Sequence, residues 1–243
     1  MRDFGFTARY SSEAQINYAI NISLRFDYIY VETPKVACST IKRFLIKNEY
    51  PDIELFDGDD ITDEEFEYIH LREFSPLLNP RQLYPFRNCL DHDRFYKFCF
   101  VRNPYDRLVS AYNDKIVNQR PPSVQIKAAL GRDRRDAAPI SFADFVRVVC
   151  EMPIGDMDSH WKIQYYQIFM DEIDFDFVGR METFDRDISE VCRRTGLDKR
   201  HLRRFAPHAR RSQERTDSLF TPELRDRVYA KYRKDFEHFD YDK

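Results

Sequence analysis

The stretch YIYVETPKVACSTIKRFL (residues 28–45) decides the fold, because it joins a predicted strand to a predicted helix through a loop of the anion-binding type. Its β-rich start predicts a strand over Phe26–Val31, and the apolar spacing after the loop predicts a helix over Ser39–Asn48. The loop carries Lys35, Ser39 and Thr40 but no glycine. Nucleotide-hydrolysing loops contain glycines and place the lysine directly before the hydroxyl, so this loop lacks their signature.

Two interpretations of this loop stay open at the level of the loop itself. Backbone N–H groups at a helix start, with the helix dipole behind them, favour a bound anion, and Lys35 adds a positive charge. The alternative is a tight turn in which Ser39 only caps the helix.

A second strand-to-helix junction follows further along the chain. The run FYKFCFV (residues 95–101) is apolar without alternation, which predicts a strand buried on both faces. An Asn-Pro pair directly after Arg102 predicts the start of a helix over Tyr105–Asn118. Arg102 and Ser110 could both reach one phosphate near this helix start. Alternatively, Arg102 pairs with Asp106 and Ser110 is a small packing residue.

The remaining segments predict an α/β protein with a P-loop-like, mainly parallel central sheet flanked by helices, in a single domain over residues 1–243. Ligands of such sheets bind at the carboxyl ends of the strands, where both loops would lie. Further predictions are an acidic surface loop (57–70), an irregular connection (74–86), a mobile insertion (119–139) with one helical turn, a strand (175–178), and helices from Ser141, over 183–196 and from Thr221.

Composition excludes several classes of protein. The net charge is −3, whereas a general nucleic-acid binder carries an excess of basic residues. No nucleic-acid partner is therefore expected. The five cysteines are widely spaced, which argues against a zinc ribbon or a dense disulfide framework. The sequence has no long apolar run and no secretory signal, so we expect a cytoplasmic protein with reduced thiols and no integral membrane segment.

Together, the two junctions resemble one enzyme family. PKVACST (residues 34–40) and FVRNPYDRLVSAYNDK (residues 100–115) are similar to paired motifs of the Golgi-type carbohydrate sulfotransferases and their bacterial relatives. The likeness continues in the HW pair (160–161), in DFDFVGRMETFDRD (174–187) and in LFTPELRDRVYAKYRKDFEHFDY (219–241). We therefore expect a sulfotransferase, of bacterial origin given its cytoplasmic features.

The resemblance implies a donor and the residues that hold it. The donor is 3′-phosphoadenosine 5′-phosphosulfate, a co-substrate, and no metal is required. The acceptor is a hydroxyl, most simply that of a carbohydrate. The 3′-phosphate is assigned to Arg102 and Ser110. The 5′-phosphosulfate is assigned to Lys35, Val36, Ala37, Cys38, Ser39 and Thr40.

Sulfuryl transfer to a hydroxyl also needs a proton acceptor, and histidine is the usual one near neutral pH. His70 is the preferred candidate and His160, in the HW pair, is the second. Trp161 is expected in the core rather than as a platform for a sugar ring, and Glu182 is expected to complement a helix dipole. The basic run over residues 201–215 is interpreted as a solvated face.

Two other functions stay open on the sequence. A nucleotide kinase of the wider P-loop class is disfavoured by the order of residues in the first loop and by the lack of a strand-terminal aspartate for magnesium. A catalytically inactive nucleotide-binding module is disfavoured by the presence of Lys35, Arg102 and Ser110.

Overall fold

The computed structural model of the protein describes residues 8–52, 68–72, 75–83, 86–203 and 216–243. They belong to two compact units. We call residues 1–101 and 168–207 the sheet unit, and residues 102–167 and 208–243 the helical unit. Each unit has an apolar core of its own.

A four-stranded sheet organises the sheet unit, with the strands in the order β1-β2-β3-β4. The strands are β1 (Ile20–Ser23), β2 (Tyr28–Val31), β3 (Tyr96–Val101) and β4 (Phe177–Arg180). β1 is antiparallel to β2, whereas β2, β3 and β4 are mutually parallel. The predicted α/β class with a mainly parallel sheet is therefore confirmed.

Among its described residues, the sheet unit includes the helices α1 (Glu13–Ala19), α2 (Cys38–Glu49), α3 (Phe86–Leu90) and α8 (Phe184–Thr195). The unit's core includes the inward-facing rings of β2 and β3 and apolar side chains of α2 and α8. Helix α8 ends as predicted, at Gly196, whose φ of 78° suits a residue without a Cβ atom.

The helical unit contains α4 (Pro104–Ala111), α5 (Ser123–Ala129), α6 (Phe142–Glu151), α7 (Gln164–Gln167), α9 (Pro222–Lys231) and α10 (Arg233–His238). Trp161 is fully buried and lies edge-on to Phe145, with ring centroids 5.6 Å apart. This burial supports the expected core role of Trp161. The predicted caps at Asn103, Ser141 and Thr221 each accept a hydrogen bond from a first-turn N–H group.

Some details of the predicted elements differ in the structure. The helix predicted over Tyr105–Asn118 is present to within one residue at each end, but it is α-helical only to Ala111 and continues as a π-helix over Tyr112–Val117. The third predicted strand begins two residues later than expected, at Phe177. The 119–139 segment contains the whole of α5, with Ile126 and Lys127 buried, instead of one turn.

Most of the acidic segment (57–70) and most of the basic run (201–215) lie outside the described residues. The mobility of the 119–139 insertion and the single-domain assignment stay predictions. Among the residues with described structure, no helix is both long enough and apolar enough to cross a membrane.

Candidate active site

The loop after β2 adopts a backbone that is unusual for residues with side chains. Lys35 and Ala37 both have left-handed conformations, with φ values of 69° and 52°. Each such residue costs about 1–2 kcal/mol relative to a right-handed one. Strain of this kind persists where the surrounding structure holds it, and turns with left-handed residues gather backbone N–H groups around an anion. This loop contains no glycine, yet it has the left-handed backbone that glycine-rich anion-binding loops adopt without a steric penalty.

The start of helix α2 shows that Ser39 is not its cap. The N-cap is Ala37, which makes no side-chain capping hydrogen bond. The N–H group of Ile41 bonds to the carbonyl of Ala37 at 2.9 Å. The N–H groups of Cys38, Ser39 and Thr40 thus belong to the first turn, which has no intrahelical acceptors. The capping interpretation of Ser39 was wrong, because Ser39 lies inside the helix.

The structure brings Ser39 and His70 together. The Oγ atom of Ser39 lies 2.8 Å from Nε2 of His70, and the hydroxyl of Tyr18 lies 3.2 Å from Nδ1 of the same ring. Arg72 holds Tyr18 by donating two hydrogen bonds to its carbonyl, at 2.6 and 3.1 Å. The preferred base candidate is therefore oriented from both ring nitrogens, beside the first turn of α2.

Tyr18 remains a neutral phenol in this arrangement. The whole residue is 37% exposed, but desolvation at its hydroxyl and the nearby carboxylate of Glu32 raise the pKa of Tyr18 far above its ordinary value. A neutral phenol can either donate to Nδ1 or accept from it. Sequence inspection missed Tyr18 because nothing in the stretch SSEAQINYAI marks it.

A buried ion pair lies next to this cluster. Lys42 and Glu32 form a salt bridge with side chains that are 1% and 2% exposed. The Lys42 ammonium also lies 4.8 Å from the centre of the Tyr18 ring and 3.5 Å from the carbonyl of Ile69. Breaking a buried ion pair is strongly destabilising, so this pair holds the residue after β2, helix α2 and the segment before His70 together.

The thiol of Cys38 lies in an environment that favours its protonated form. Burial, followed by the negative charge of Glu32, raises the pKa of the Cys38 thiol. The thiol is therefore protonated near neutral pH, and thiolate is the reactive form. All five cysteines of the chain are free.

In the helical unit, the backbone N–H and carbonyl groups of Arg102 are both hydrogen-bonded to one side-chain amide, that of Gln164. The N–H group of Arg102 donates to Oε1 of Gln164 at 2.9 Å, and Nε2 of Gln164 donates to the carbonyl of Arg102 at 2.8 Å. Asp106 accepts a 2.6 Å hydrogen bond from the hydroxyl of Thr216, a partner that was not expected. Ser110 lies in α4 and is partly exposed.

His160, the second base candidate, also belongs to the helical unit. Its Nδ1 atom lies 2.6 Å from a carboxylate oxygen of Asp158. Burial alone would raise the pKa of Asp158, but the hydrogen bonds and charge of His160 outweigh it and hold that pKa below its ordinary value. Arg107, which is 1% exposed, donates to the carbonyls of Ser159 and Lys162 at 2.8 and 2.6 Å. The buried Arg107 side chain therefore holds the backbone on either side of His160 in place.

The family of this protein follows from comparison with known sequences. A family model described as "Sulfotransferase family" matches residues 19–242. The chain belongs to this family. The resemblance drawn from the two strand-to-helix junctions is thereby confirmed.

Its relatives include carbohydrate sulfotransferases of vertebrates. Carbohydrate sulfotransferase 14 of Mus musculus is 30% identical over 184 residues, which cover 71% of this chain and 45% of the relative. Carbohydrate sulfotransferase 10 of Pongo abelii is 28% identical, covering 88% of this chain and 64% of the relative. This chain thus spans about half to two thirds of these relatives. No solved structure matches it significantly.

These relatives overturn the predicted compartment and origin. We expected a cytoplasmic, bacterial protein because the sequence has no secretory signal and no apolar span. The carbohydrate sulfotransferases that it matches come from vertebrates and are of the lumenal Golgi type. The expectation was wrong because features absent from this stretch of sequence do not determine a compartment.

No group of three or more histidine, cysteine, aspartate or glutamate side chains suited to a metal ion occurs within the described ranges. The expectation that the reaction needs no metal stays a prediction.

Proposed function

We propose that the protein transfers a sulfuryl group from 3′-phosphoadenosine 5′-phosphosulfate to a hydroxyl of a carbohydrate. The observation that carries this proposal is the left-handed loop at Lys35 and Ala37, with His70 held 2.8 Å from Ser39, in a chain of the sulfotransferase family. No observation favours the kinase alternative.

The proposed donor site has two parts. The first-turn N–H groups of Cys38, Ser39 and Thr40, with the charge of Lys35, bind the 5′-phosphosulfate. Its support is the strained loop backbone and the start of α2, which together favour an anion. Arg102 and Ser110 bind the 3′-phosphate, and this assignment is supported by the family resemblance.

The proposed reaction is an in-line displacement at sulfur. The acceptor oxygen forms a bond to sulfur while the bond from sulfur to the phosphate oxygen breaks. The phosphate leaves with the electron pair, and Lys35 and the loop N–H groups stabilise its developing charge. The acceptor hydroxyl loses its proton to His70. Catalysis then depends on positioning and preorganised charge rather than on a covalent enzyme intermediate.

His70 can act as the base only in one tautomer. Its Nε2 atom must be unprotonated, so Nδ1 carries the proton and donates to the hydroxyl oxygen of Tyr18. In that tautomer the hydroxyl of Ser39 donates to Nε2. The incoming acceptor hydroxyl replaces Ser39 at Nε2, and Ser39 becomes available to the donor.

His160 is the second candidate for the base because of its carboxylate partner. Asp158, 2.6 Å from Nδ1, would orient the His160 ring and stabilise its protonated form. Either histidine is compatible with the proposed reaction.

The acceptor class can be tested directly. The names of the relatives support a carbohydrate, although they are names of longer proteins. Labelled sulfate from the donor would be offered to a panel of neutral and acidic glycans, glycolipids and phenols. The proposal predicts label on glycans in preference to phenols. Transfer to phenols alone would exclude a carbohydrate acceptor.

A further inference from the structure

A buried polar network in the helical unit has no role in the reaction just proposed. Its members Gln164 and Asp235 are both 0% exposed. Gln164 uses both ends of its amide on the peptide of Arg102, at 2.9 and 2.8 Å. This two-point contact has the form of a pairing between neighbouring strands, at the residue that directly follows β3.

Asp235 determines which way the Gln164 amide faces. One carboxylate oxygen of Asp235 accepts hydrogen bonds from the backbone N–H and from Nε2 of Gln164, at 2.9 and 3.3 Å. The other oxygen accepts from the N–H group of Tyr165 at 2.8 Å. An ionised carboxylate only accepts, so the NH₂ end of the amide must point towards it. The oxygen of Gln164 is thereby directed to the N–H group of Arg102.

Burying such a network is unfavourable in free energy, so its presence suggests a role other than stability. A fully buried carboxylate pays a desolvation penalty, and apolar residues of similar volume often replace buried charges without loss of stability. Apolar packing would allow the backbone of Arg102 to rotate by small angles. The two hydrogen bonds on Arg102, and the three on Asp235 that hold Gln164, restrict this rotation. The backbone orientation of Arg102 sets the direction in which its side chain leaves the chain.

We infer that Gln164 and Asp235 are positioning residues that aim Arg102 and so set the preference for nucleotides with a 3′-phosphate. The inference rests on the proposed function, in which Arg102 binds that phosphate. It assigns a specificity role to a helix, α7, and to a residue of α10 that themselves touch no ligand in the proposed mechanism.

The test compares two nucleotides that differ only in the 3′-phosphate. Calorimetry at pH 8 would measure the affinities of 3′-phosphoadenosine 5′-phosphate and adenosine 5′-phosphate. We expect Gln164→Leu to reduce the ratio of these affinities by about tenfold, as for part of a charged hydrogen bond. The affinity for adenosine 5′-phosphate should not change. Asp235→Asn should reduce the ratio as well, because one donor then faces an NH₂ group.

Controls separate positioning from a merely structural role. Gln167→Leu removes a buried amide from the other end of the same helix and should leave the ratio unchanged. Arg102→Ala should abolish the preference. If Gln164→Leu does not fold, Gln164→Met keeps the length of the side chain but cannot donate to Arg102, and it should lower the ratio too.

The outcomes distinguish this inference from the proposed function. A wild-type protein with no preference for the 3′-phosphate contradicts the proposed donor itself. A preference that Arg102→Ala abolishes but the Gln164 variants retain overturns the inference alone. An equal loss of affinity for both nucleotides in the Gln164 variants also overturns it, because the role is then structural.

Discussion

Single residues carry the proposed chemistry, and His70 is the one with the clearest geometry. Contacts on both ring nitrogens, from Ser39 at 2.8 Å and Tyr18 at 3.2 Å, fix its plane. We expect His70→Ala to lower kcat by about 10²–10⁴-fold, the usual range for a general base, and to remove an ionisation near neutral pH from the rate profile. The measurement is the pH dependence of kcat with saturating donor.

His160→Ala is the matched comparison for the base. It also removes a histidine with a fixed Nδ1 partner, Asp158. Tyr18→Phe should shift the pH profile without removing the ionisation, since the phenol only selects the tautomer. A His70→Ala variant that keeps both the ionisation and most of its rate would transfer the role to His160.

Lys35 is expected to act on the leaving phosphate rather than on donor binding. Its left-handed backbone, with φ of 69°, places it in the strained part of the loop. Because negative charge grows on the phosphate during transfer, Lys35→Ala should lower kcat far more than donor affinity. Steady-state kinetics with calorimetry of the donor product would measure both. Lys47→Ala, at the far end of α2, is the control and should change neither.

Near-normal turnover in Lys35→Ala would refute this role for the lysine. A loss confined to donor affinity would reassign Lys35 to ground-state binding.

At the scale of elements, the strand β4 packs closely against β3 at a glycine. A Cβ atom on Gly179 would lie 2.5 Å from Cε1 of Phe100, which is 1% exposed. The clash involves a buried ring in the core, so Gly179→Ala should destabilise the protein by about 1–3 kcal/mol. Urea denaturation would measure the change in the free energy of unfolding.

Gly155→Ala is the control for this substitution. A Cβ atom there has no neighbour within 4 Å, so its effect should stay within about 1 kcal/mol. Equal effects for the two alanine variants would show that the Phe100 ring moves away from position 179 without loss of stability.

The contact between α7 and α10 has a predicted pH dependence. Burial raises the pKa of Asp235 to about 6, in spite of the hydrogen bonds from Tyr165 and Gln164. A raised pKa means that the folded state favours the protonated acid. The associated stabilisation is complete below the ordinary value of 3.8 and is lost as pH rises through 6.

The difference in free energy of unfolding between wild type and Asp235→Asn isolates this group, because asparagine does not titrate. We expect the difference to fall by roughly 2 kcal/mol between pH 4 and pH 7. Denaturation series at each pH would measure it. A difference that rises with pH would show that the hydrogen bonds outweigh burial.

Elements with strong local signals were predictable from sequence. The helix starts at Asn103, Ser141 and Thr221 carry their capping residues in the sequence, and β3 is apolar throughout. Strand β1 was missed because the turn before β2 has no glycine. Asp27 takes the left-handed position there, with φ of 51°.

Contacts between distant parts of the chain could not be predicted. Ser39 and His70 are 31 residues apart, and Gln164 reaches Arg102 across 62 residues. Periodicity and caps describe one element at a time, so they do not show which loop a histidine will meet. The buried pair of Glu32 and Lys42 was missed for the same reason, since Glu32 lies in the loop after β2 and Lys42 lies in α2.

For the whole molecule, family membership extends over residues 19–242 and so includes both units. With a net charge of −3, the overall field of the protein does not attract anions, so the proposed donor site depends on local groups such as Lys35 and Arg102. For the whole protein we propose a transfer of sulfate from a phosphosulfate nucleotide that does not depend on a metal ion.

The most direct test follows nucleotide turnover in EDTA, with the glycan panel as acceptors, beside ATP with and without magnesium. The account predicts that EDTA leaves unchanged both the formation of sulfated glycan and the release of 3′-phosphoadenosine 5′-phosphate, and that ATP is not consumed. Turnover of ATP that requires magnesium would contradict the account in favour of a kinase. Donor binding without turnover on any acceptor would contradict it in favour of an inactive binding module.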